Sequence, residues 1–118
     1  MGLFDIFKKK QENQSLDFSA IDSNQKAQEL YAKGELVKMY LMPLECGGED
    51  SLVNILFVPQ VANNQKEAFD AKLIALLESG LQLGYSTKPE YKGNSFIPNS
   101  VTIQVTGDRK MTEVIEIW

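Results

Sequence analysis

The feature that most constrains this chain is the run Leu-Val-Asn-Ile-Leu-Phe-Val at residues 52–58, which ends directly before Pro59. It is the longest nearly continuous apolar segment of the sequence, and only Asn54 interrupts it. Such a segment is too short to span a membrane, and its β-branched and aromatic residues are typical of a strand buried on both faces. We therefore predict a central strand over residues 52–58.

The length and the cysteine content place the chain in a broad class. A chain of 118 residues corresponds to one domain and can bury about two thirds of the surface of its unfolded state. Cys46 is the single cysteine, so an internal disulfide is excluded. The apolar residues near the N-terminus precede their lysines, which is the reverse of a secretory signal peptide. These features predict a cytoplasmic protein.

The charges are unevenly distributed along the chain. There are 12 basic and 16 acidic residues, and the first ten positions hold three lysines and one aspartate. The remaining residues therefore contain 9 basic and 15 acidic side chains, a net charge of −6. A body of this sign repels phosphate backbones and attracts basic partners. We expect no binding to nucleic acid.

Two local patterns are clear. Val101, Ile103 and Val105 alternate with polar residues, which predicts a strand with one solvent-exposed face. Gly34 and Gly80 follow two helical patterns and predict where these helices end.

The periodicity of the other segments predicts the secondary structure. Asp22 or Ser23 is a suitable N-cap for a first helix, and Asn64 with Glu67 three residues later predicts the start of a second. The short links favour antiparallel strands, so we predict an α+β fold, a two-layer sandwich with the helices on one face of one sheet. The predicted helices cover residues 23–33 and 64–79, and the predicted strands cover residues 35–42, 52–58, 81–87, 100–106 and 111–118.

The same patterns divide the chain into three parts. Residues 1–10 form an amphipathic N-terminal segment, residues 11–22 form a polar tether without clear periodicity, and residues 23–118 form a single α+β domain.

The N-terminal segment has an apolar side and a basic side when it is drawn as a helix. Residues 2–9 resemble the start of the aurein and citropin membrane-active peptides, in which Gly-Leu-Phe-Asp, two apolar residues and Lys-Lys open an interfacial helix. The resemblance implies weak, reversible contact with an anionic membrane surface. The alternative is that this segment packs against its own domain. The predicted membrane-contact residues are Leu3, Phe4, Ile6, Phe7, Lys8, Lys9 and Lys10.

No catalytic pattern is recognisable. The sequence contains no histidine, which removes the commonest general base and the usual zinc ligand. Acidic residues surround Cys46 and should raise the pKa of its thiol, so we expect an unreactive cysteine. The carboxylates of Glu45, Glu49 and Asp50 do not follow the spacing of an EF-hand loop. We predict neither a cofactor nor a metal.

The irregular segment 89–98 is the best candidate for a contact surface. Tyr91 and Phe96 are large enough to anchor a protein partner, and prolines at both ends stiffen the loop. The alternative is that both aromatic side chains pack onto the core beneath the loop. Together with the acidic loop, the predicted partner-binding residues are Tyr91, Lys92, Asn94, Phe96, Glu45, Glu49 and Asp50.

Three functions compete on this basis. Small, acidic, cytoplasmic α+β chains without catalytic residues resemble bacterial immunity proteins that block basic toxins, and the opening Met-Gly-Leu-Phe-Asp resembles small uncharacterised bacterial proteins. The leading hypothesis is therefore a non-enzymatic protein-binding module for a basic partner. The second is a peripheral membrane adaptor anchored at the inner face of the membrane by residues 3–10. The third is a carboxylate-dependent enzyme, for which no site pattern is present.

Overall fold

The computed structural model describes residues 16–118. The predicted N-terminal segment, with all seven membrane-contact residues, lies outside this range. The described chain contains two α-helices and five strands, which confirms the α+β class. In chain order these are α1 (Asn24–Ala32), β1 (Val37–Tyr40), β2 (Ile55–Val58), α2 (Gln60–Glu78), β3 (Leu83–Glu90), β4 (Ser100–Gly107) and β5 (Met111–Glu116).

The strands form two antiparallel sheets, so the prediction of one five-stranded sheet is wrong. Among the described residues, strands β1 and β2 pair only with each other, with Val37 opposite Val58 and Tyr40 opposite Ile55. The second sheet has the order β3-β4-β5. The first sheet is small because β1 and β2 each contain only four residues. The two-layer arrangement with both helices on one face stays a prediction.

The apolar run is buried over only part of its length. All four residues of β2 are buried, as predicted for a strand covered on both faces. Leu52–Asn54 instead forms a 3₁₀ turn, and Val53 is 87% exposed. The strand begins only after Asn54, whose side chain is hydrogen-bonded to the backbone of the preceding loop. The predicted strand over residues 52–58 is therefore three residues too long at its start.

Helix α2 begins earlier than predicted. Its N-cap is Pro59, whose carbonyl oxygen accepts from the backbone N–H of Ala62 at 3.1 Å and of Asn63 at 3.3 Å. Proline has no backbone N–H to donate. This costs no hydrogen bond at the start of a helix, because the first N–H groups of a helix have no acceptor within it. Asn64 is therefore not the N-cap, and its side chain accepts a hydrogen bond from Gln60 inside the helix.

Three predicted helix boundaries agree with the structure. The Ser23 hydroxyl accepts from the backbone N–H of Lys26 at 3.1 Å and so caps α1. Gly34 and Gly80 follow the two helices with φ angles of 82° and 103°, a left-handed conformation that glycine adopts without steric cost.

The core lies between α2 and both sheets. Helix α2 contacts β1 of the first sheet and β5 of the second, and Leu73 on its inner face is buried. In β4, Val101, Ile103 and Val105 are all buried, which confirms the alternation predicted from the sequence. Helix α2 thus contacts both sheets.

The irregular connection before β4 is shorter than predicted. Strand β3 continues to Glu90, so Pro89 lies in the strand opposite Val101. β3 is an edge strand, where a residue without an N–H can be tolerated. The loop therefore covers residues 91–99.

Candidate functional site

A cleft of about 680 Å³ lies between α2 and the segment that follows β1. One wall is a face of α2 that extends from Asn63 to Glu78, a distance of about 22 Å at 1.5 Å per residue. The facing wall is the 3₁₀ turn Leu44–Cys46, with Pro43 before it. Tyr40, the last residue of β1, also lines the cleft.

A buried ionic network forms part of the helical wall. The Lys66 ammonium lies 2.6 Å from an Asp70 carboxylate oxygen and donates to the Tyr85 hydroxyl at 2.9 Å. The Tyr85 hydroxyl donates to the other Asp70 oxygen at 3.0 Å. The Lys66 side chain is 1% exposed and that of Asp70 is 12% exposed. Lys66 and Asp70 therefore neutralise each other inside the wall.

Burial shifts the titration of this network. It lowers the pKa of Lys66, although the hydrogen bond and the negative charge of Asp70 act in the opposite direction. Burial also raises the pKa of Tyr85, and the neighbouring Asp70 carboxylate raises it further. The phenol consequently stays neutral and can act as both donor and acceptor in the network.

Cys46 lies close enough to this network for the charge of Asp70 to shift the pKa of its thiol. Burial raises the pKa of the Cys46 thiol, and the carboxylates of Asp70 and Glu45 raise it further. A thiol with a raised pKa contains little thiolate at neutral pH. This supports the interpretation that Cys46 is not a nucleophile. The sequence indicated only the neighbouring acidic residues, whereas in the structure burial raises the pKa most and Asp70, which is distant in sequence, adds to it.

The other charges on the cleft are all negative. Glu45, Glu67 and Glu78 line it and are exposed to solvent. Within residues 16–118, none of the three forms an ion pair. Glu67 accepts a hydrogen bond from the Asn63 amide at 3.2 Å. The middle of the cleft is apolar, with Ala71, Ile74 and Ala75 on the helix and Pro43 and Leu44 opposite.

The predicted acidic loop is divided between different environments. Glu45 faces the cleft, whereas Asp50 accepts from the Lys38 ammonium at 3.1 Å and from the Tyr40 hydroxyl at 3.2 Å. These bonds lower the pKa of Asp50. Glu49 is exposed, and its backbone carbonyl accepts from Asn54. In the described part of the chain, no group of three or more potential ligand residues is arranged to hold a metal ion.

The predicted aromatic loop presents side chains to solvent. Tyr91 is 47% exposed and Phe96 is 51% exposed, while Ile97 and Pro98 anchor the loop in the interior. Burial of the other half of Tyr91 raises the pKa of its phenol. Asn94 is exposed in the turn at the tip of the loop.

The structure adds Trp118 to this surface, which the sequence analysis did not include. The Lys92 ammonium lies 4.3 Å from the centroid of the Trp118 ring, and Phe18 meets the same ring edge-on at 6.0 Å. The indole N–H donates to the Ile97 carbonyl at 3.0 Å. Among residues 16–118, no hydrogen bond or ion pair joins this loop to Glu45, Glu49 or Asp50. The two predicted binding loops are thus separate features.

The sequence patterns do not indicate Lys66, Asp70 and Tyr85 as site residues. Lysine and aspartate four residues apart on a helix usually form an exposed pair, and nothing local indicates that this face is covered. The one available signal was an earlier helix start: with Gln60 as the first residue of α2, Ala62 lies one turn before Lys66 on the same buried side.

Comparison with known proteins adds no family to these observations. The chain matches no protein-family model and no curated sequence. Within the described residues, neither helix combines the length and the apolar content needed to cross a bilayer.

Proposed function

We propose that this chain is a non-enzymatic protein-binding module that neutralises a basic partner, in the manner of an immunity protein. The observation that carries the proposal is the cleft beside α2, where Glu45, Glu67 and Glu78 surround an apolar centre without a compensating cation among residues 16–118. Lys66, the only cation that the described residues contribute to the lining, is already paired with Asp70.

Two physical effects favour a basic protein as the ligand. The net charge of −6 beyond the first ten residues attracts a cationic partner over a distance and accelerates the encounter. Once the partner is bound, the apolar centre of the cleft excludes water, which strengthens the attraction between its basic side chains and the carboxylates. The long-range charge thus favours association, and the cleft supplies specificity.

The test is affinity capture from the native cell with the full chain and two matched variants. One variant carries Glu67→Lys and Glu78→Lys in the cleft. The control carries Glu35→Lys and Glu116→Lys, both exposed and both outside the cleft lining, so the net charge changes by the same amount. We expect a basic protein that is retained by the wild type and the control, is released by salt and is lost with the cleft variant. Equal capture by both variants, or capture of acidic proteins only, would contradict the proposal.

A second proposed function rests on the sequence of residues 3–10, which lie outside the described range. We propose that this basic amphipathic segment attaches the protein to the inner face of the membrane, as a peripheral adaptor in the cytoplasm. Phe4→Ser with Phe7→Ser should abolish co-sedimentation of the full chain with anionic liposomes at low salt. Failure of the unsubstituted protein to co-sediment would end this proposal and leave the binding module unaffected.

A further inference from the structure

We infer that the cleft beside α2 is a groove that binds an amphipathic helix of the partner. Two basic residues of that helix, eleven positions apart, would lie at the two ends of the groove. This inference rests on the proposed function and names the partner element that the site recognises. It is carried by the pattern of residues along one face of α2.

The helical wall has charged ends and a small, apolar middle. Glu67, Ala71, Ile74 and Glu78 follow each other at intervals of four, three and four residues, so they lie in one row along the helix. Glu67 and Glu78 are eleven residues apart, which corresponds to about 16 Å along the axis and to three turns. A ligand that meets both carboxylates must therefore present two cations at this separation.

The middle of the row allows a second helix to approach closely. Ala71 and Ala75 are four residues apart and both exposed, and their short side chains leave a shallow depression beside Ile74. Helices pack with about 8–10 Å between their axes, and the separation depends on the size of the side chains at the contact. Larger apolar side chains of the partner would fill the space between α2 and the facing wall, where Leu44 is partly exposed.

A helical partner repeats the pattern of α2 with opposite charge. Residues at the first, fifth, eighth and twelfth positions of a helix lie within a narrow stripe of its surface. Basic residues at the first and twelfth of these positions and apolar residues between them would face Glu67, the apolar middle and Glu78 together. In an extended segment, side chains on one face repeat only about every 6.7 Å. Such a segment would place about three side chains, not four, over the distance between Glu67 and Glu78.

The experiment uses the full chain and a fluorescently labelled synthetic peptide with high helix propensity. The peptide has arginines at its first and twelfth positions and leucines at its fifth and eighth. One control peptide replaces both arginines by the neutral isostere citrulline. A second control has the same composition but arginines at the first and ninth positions, about 12 Å apart and no longer in one row. Binding is measured by fluorescence anisotropy at low and moderate salt.

We expect the matched peptide to bind at least tenfold more tightly than either control peptide. Glu67→Gln with Glu78→Gln should weaken its binding at least tenfold, and Leu44→Ala should weaken it several-fold. Glu35→Gln with Glu116→Gln, both exposed and outside the cleft lining, should leave it unchanged. Because these positions are exposed, the variants should retain the circular dichroism spectrum and melting temperature of the wild type.

Three results would overturn the inference. In the first, the control peptide with arginines at positions one and nine binds as tightly as the matched peptide. In the second, Glu67→Gln with Glu78→Gln does not weaken binding of the matched peptide. In the third, the matched peptide does not bind at all. If the native partner is nevertheless captured in a manner that depends on Glu67 and Glu78, the helix-in-groove inference is wrong and the binding function stands. If that capture also fails, both are wrong.

Discussion

The side chain of Asn54 connects two segments of the backbone on either side of the acidic loop. Its amide oxygen accepts from the Met42 N–H at 2.8 Å, and its amide nitrogen donates to the carbonyls of Met42 at 3.0 Å and Glu49 at 2.9 Å. Gly48 packs against these hydrogen-bonded groups. A Cβ atom at Gly48 would collide with the Met42 carbonyl oxygen, so this position has no room for a side chain. The single polar residue of the apolar run thus fixes the loop that carries one wall of the cleft.

Replacing Asn54 by Ala should lower the free energy of unfolding by about 2 kcal/mol, because partly buried backbone groups lose their partners. The measurement is urea denaturation followed by circular dichroism. Asn94→Ala, in an exposed turn, is the control and should change stability by less than about 0.5 kcal/mol. Equal stability of Asn54→Ala and the wild type would show that water replaces these hydrogen bonds at no cost.

Lys66 and Asp70 should be strongly coupled. Lys66→Met alone leaves a largely buried carboxylate without its cation and should cost about 3 kcal/mol of stability. Adding Asp70→Leu removes that unpaired charge, so the double variant should recover most of the loss. The double-mutant cycle measures the coupling, and additive effects of the two substitutions would contradict the buried network described above.

Tyr85 should resist ionisation in the folded protein. Its pKa is raised from the ordinary value of 10.0, so above this pH the unfolded chain releases the phenolic proton while the folded chain keeps it. The stability that Tyr85 contributes is therefore fully present below pH 10 and decreases as the pH rises further. The phenolate absorbance of native wild type and native Tyr85→Phe should coincide above pH 10 and differ by one tyrosine after denaturation. A native difference of about half a phenolate at pH 10, which grows as the pH rises further, would show that Tyr85 is not shielded.

At the scale of elements, the start of α1 depends on one local contact. The Ser23 hydroxyl accepts from the Lys26 N–H, and its neighbour Asp22 forms an exposed ion pair with the Lys26 ammonium at 2.8 Å. Exposed ion pairs contribute little, whereas an N-cap satisfies a donor that has no partner within the helix. The cap should therefore matter more than the ion pair.

Ser23→Ala should lower the free energy of unfolding by about 1 kcal/mol, whereas Ser23→Asp retains an acceptor and should be nearly neutral. Asp22→Asn should also have a small effect. Thermal denaturation of the three variants under identical conditions compares them. A larger loss for Asp22→Asn than for Ser23→Ala would reverse the assignment of the cap.

At the scale of the whole molecule, α2 contacts two sheets that share no strand pairing within residues 16–118. Leu73 is buried on the inner face of this helix, while Trp118 reports on the region of the second sheet, where the Asn99 carbonyl accepts from its backbone N–H at 3.3 Å. If α2 unites the two sheets, they should unfold in a single transition.

Leu73→Ala should lower the free energy of unfolding by about 3 kcal/mol through lost burial and the cavity left behind. Tryptophan fluorescence, which reports on Trp118, and far-ultraviolet circular dichroism, which reports on the whole chain, should shift together to lower denaturant concentration. Transitions that separate in this variant would show that the sheet of β1 and β2 unfolds independently.

The sequence by itself determined those features that depend on neighbouring residues. The alternation of residues 100–106 predicted the buried face of β4, the two glycines predicted both helix ends, and the apolar run predicted the burial of β2. Each of these features follows either from the spacing of apolar residues along the chain or from a backbone conformation that a few adjacent residues determine. They therefore required no knowledge of which segments meet in space.

The tertiary structure alone decided the division into two sheets, the burial of Lys66 and Asp70, and the position of the cleft. Lys66 meets Tyr85, which is 19 residues away, and Lys92 meets Trp118 from another part of the chain. The burial of a polar side chain depends on what covers it, and at these sites the cover comes from distant segments whose pairing is decided by packing. The same is true of the row of acidic and small residues along α2, which becomes a cleft only because the turn after β1 stands opposite to it.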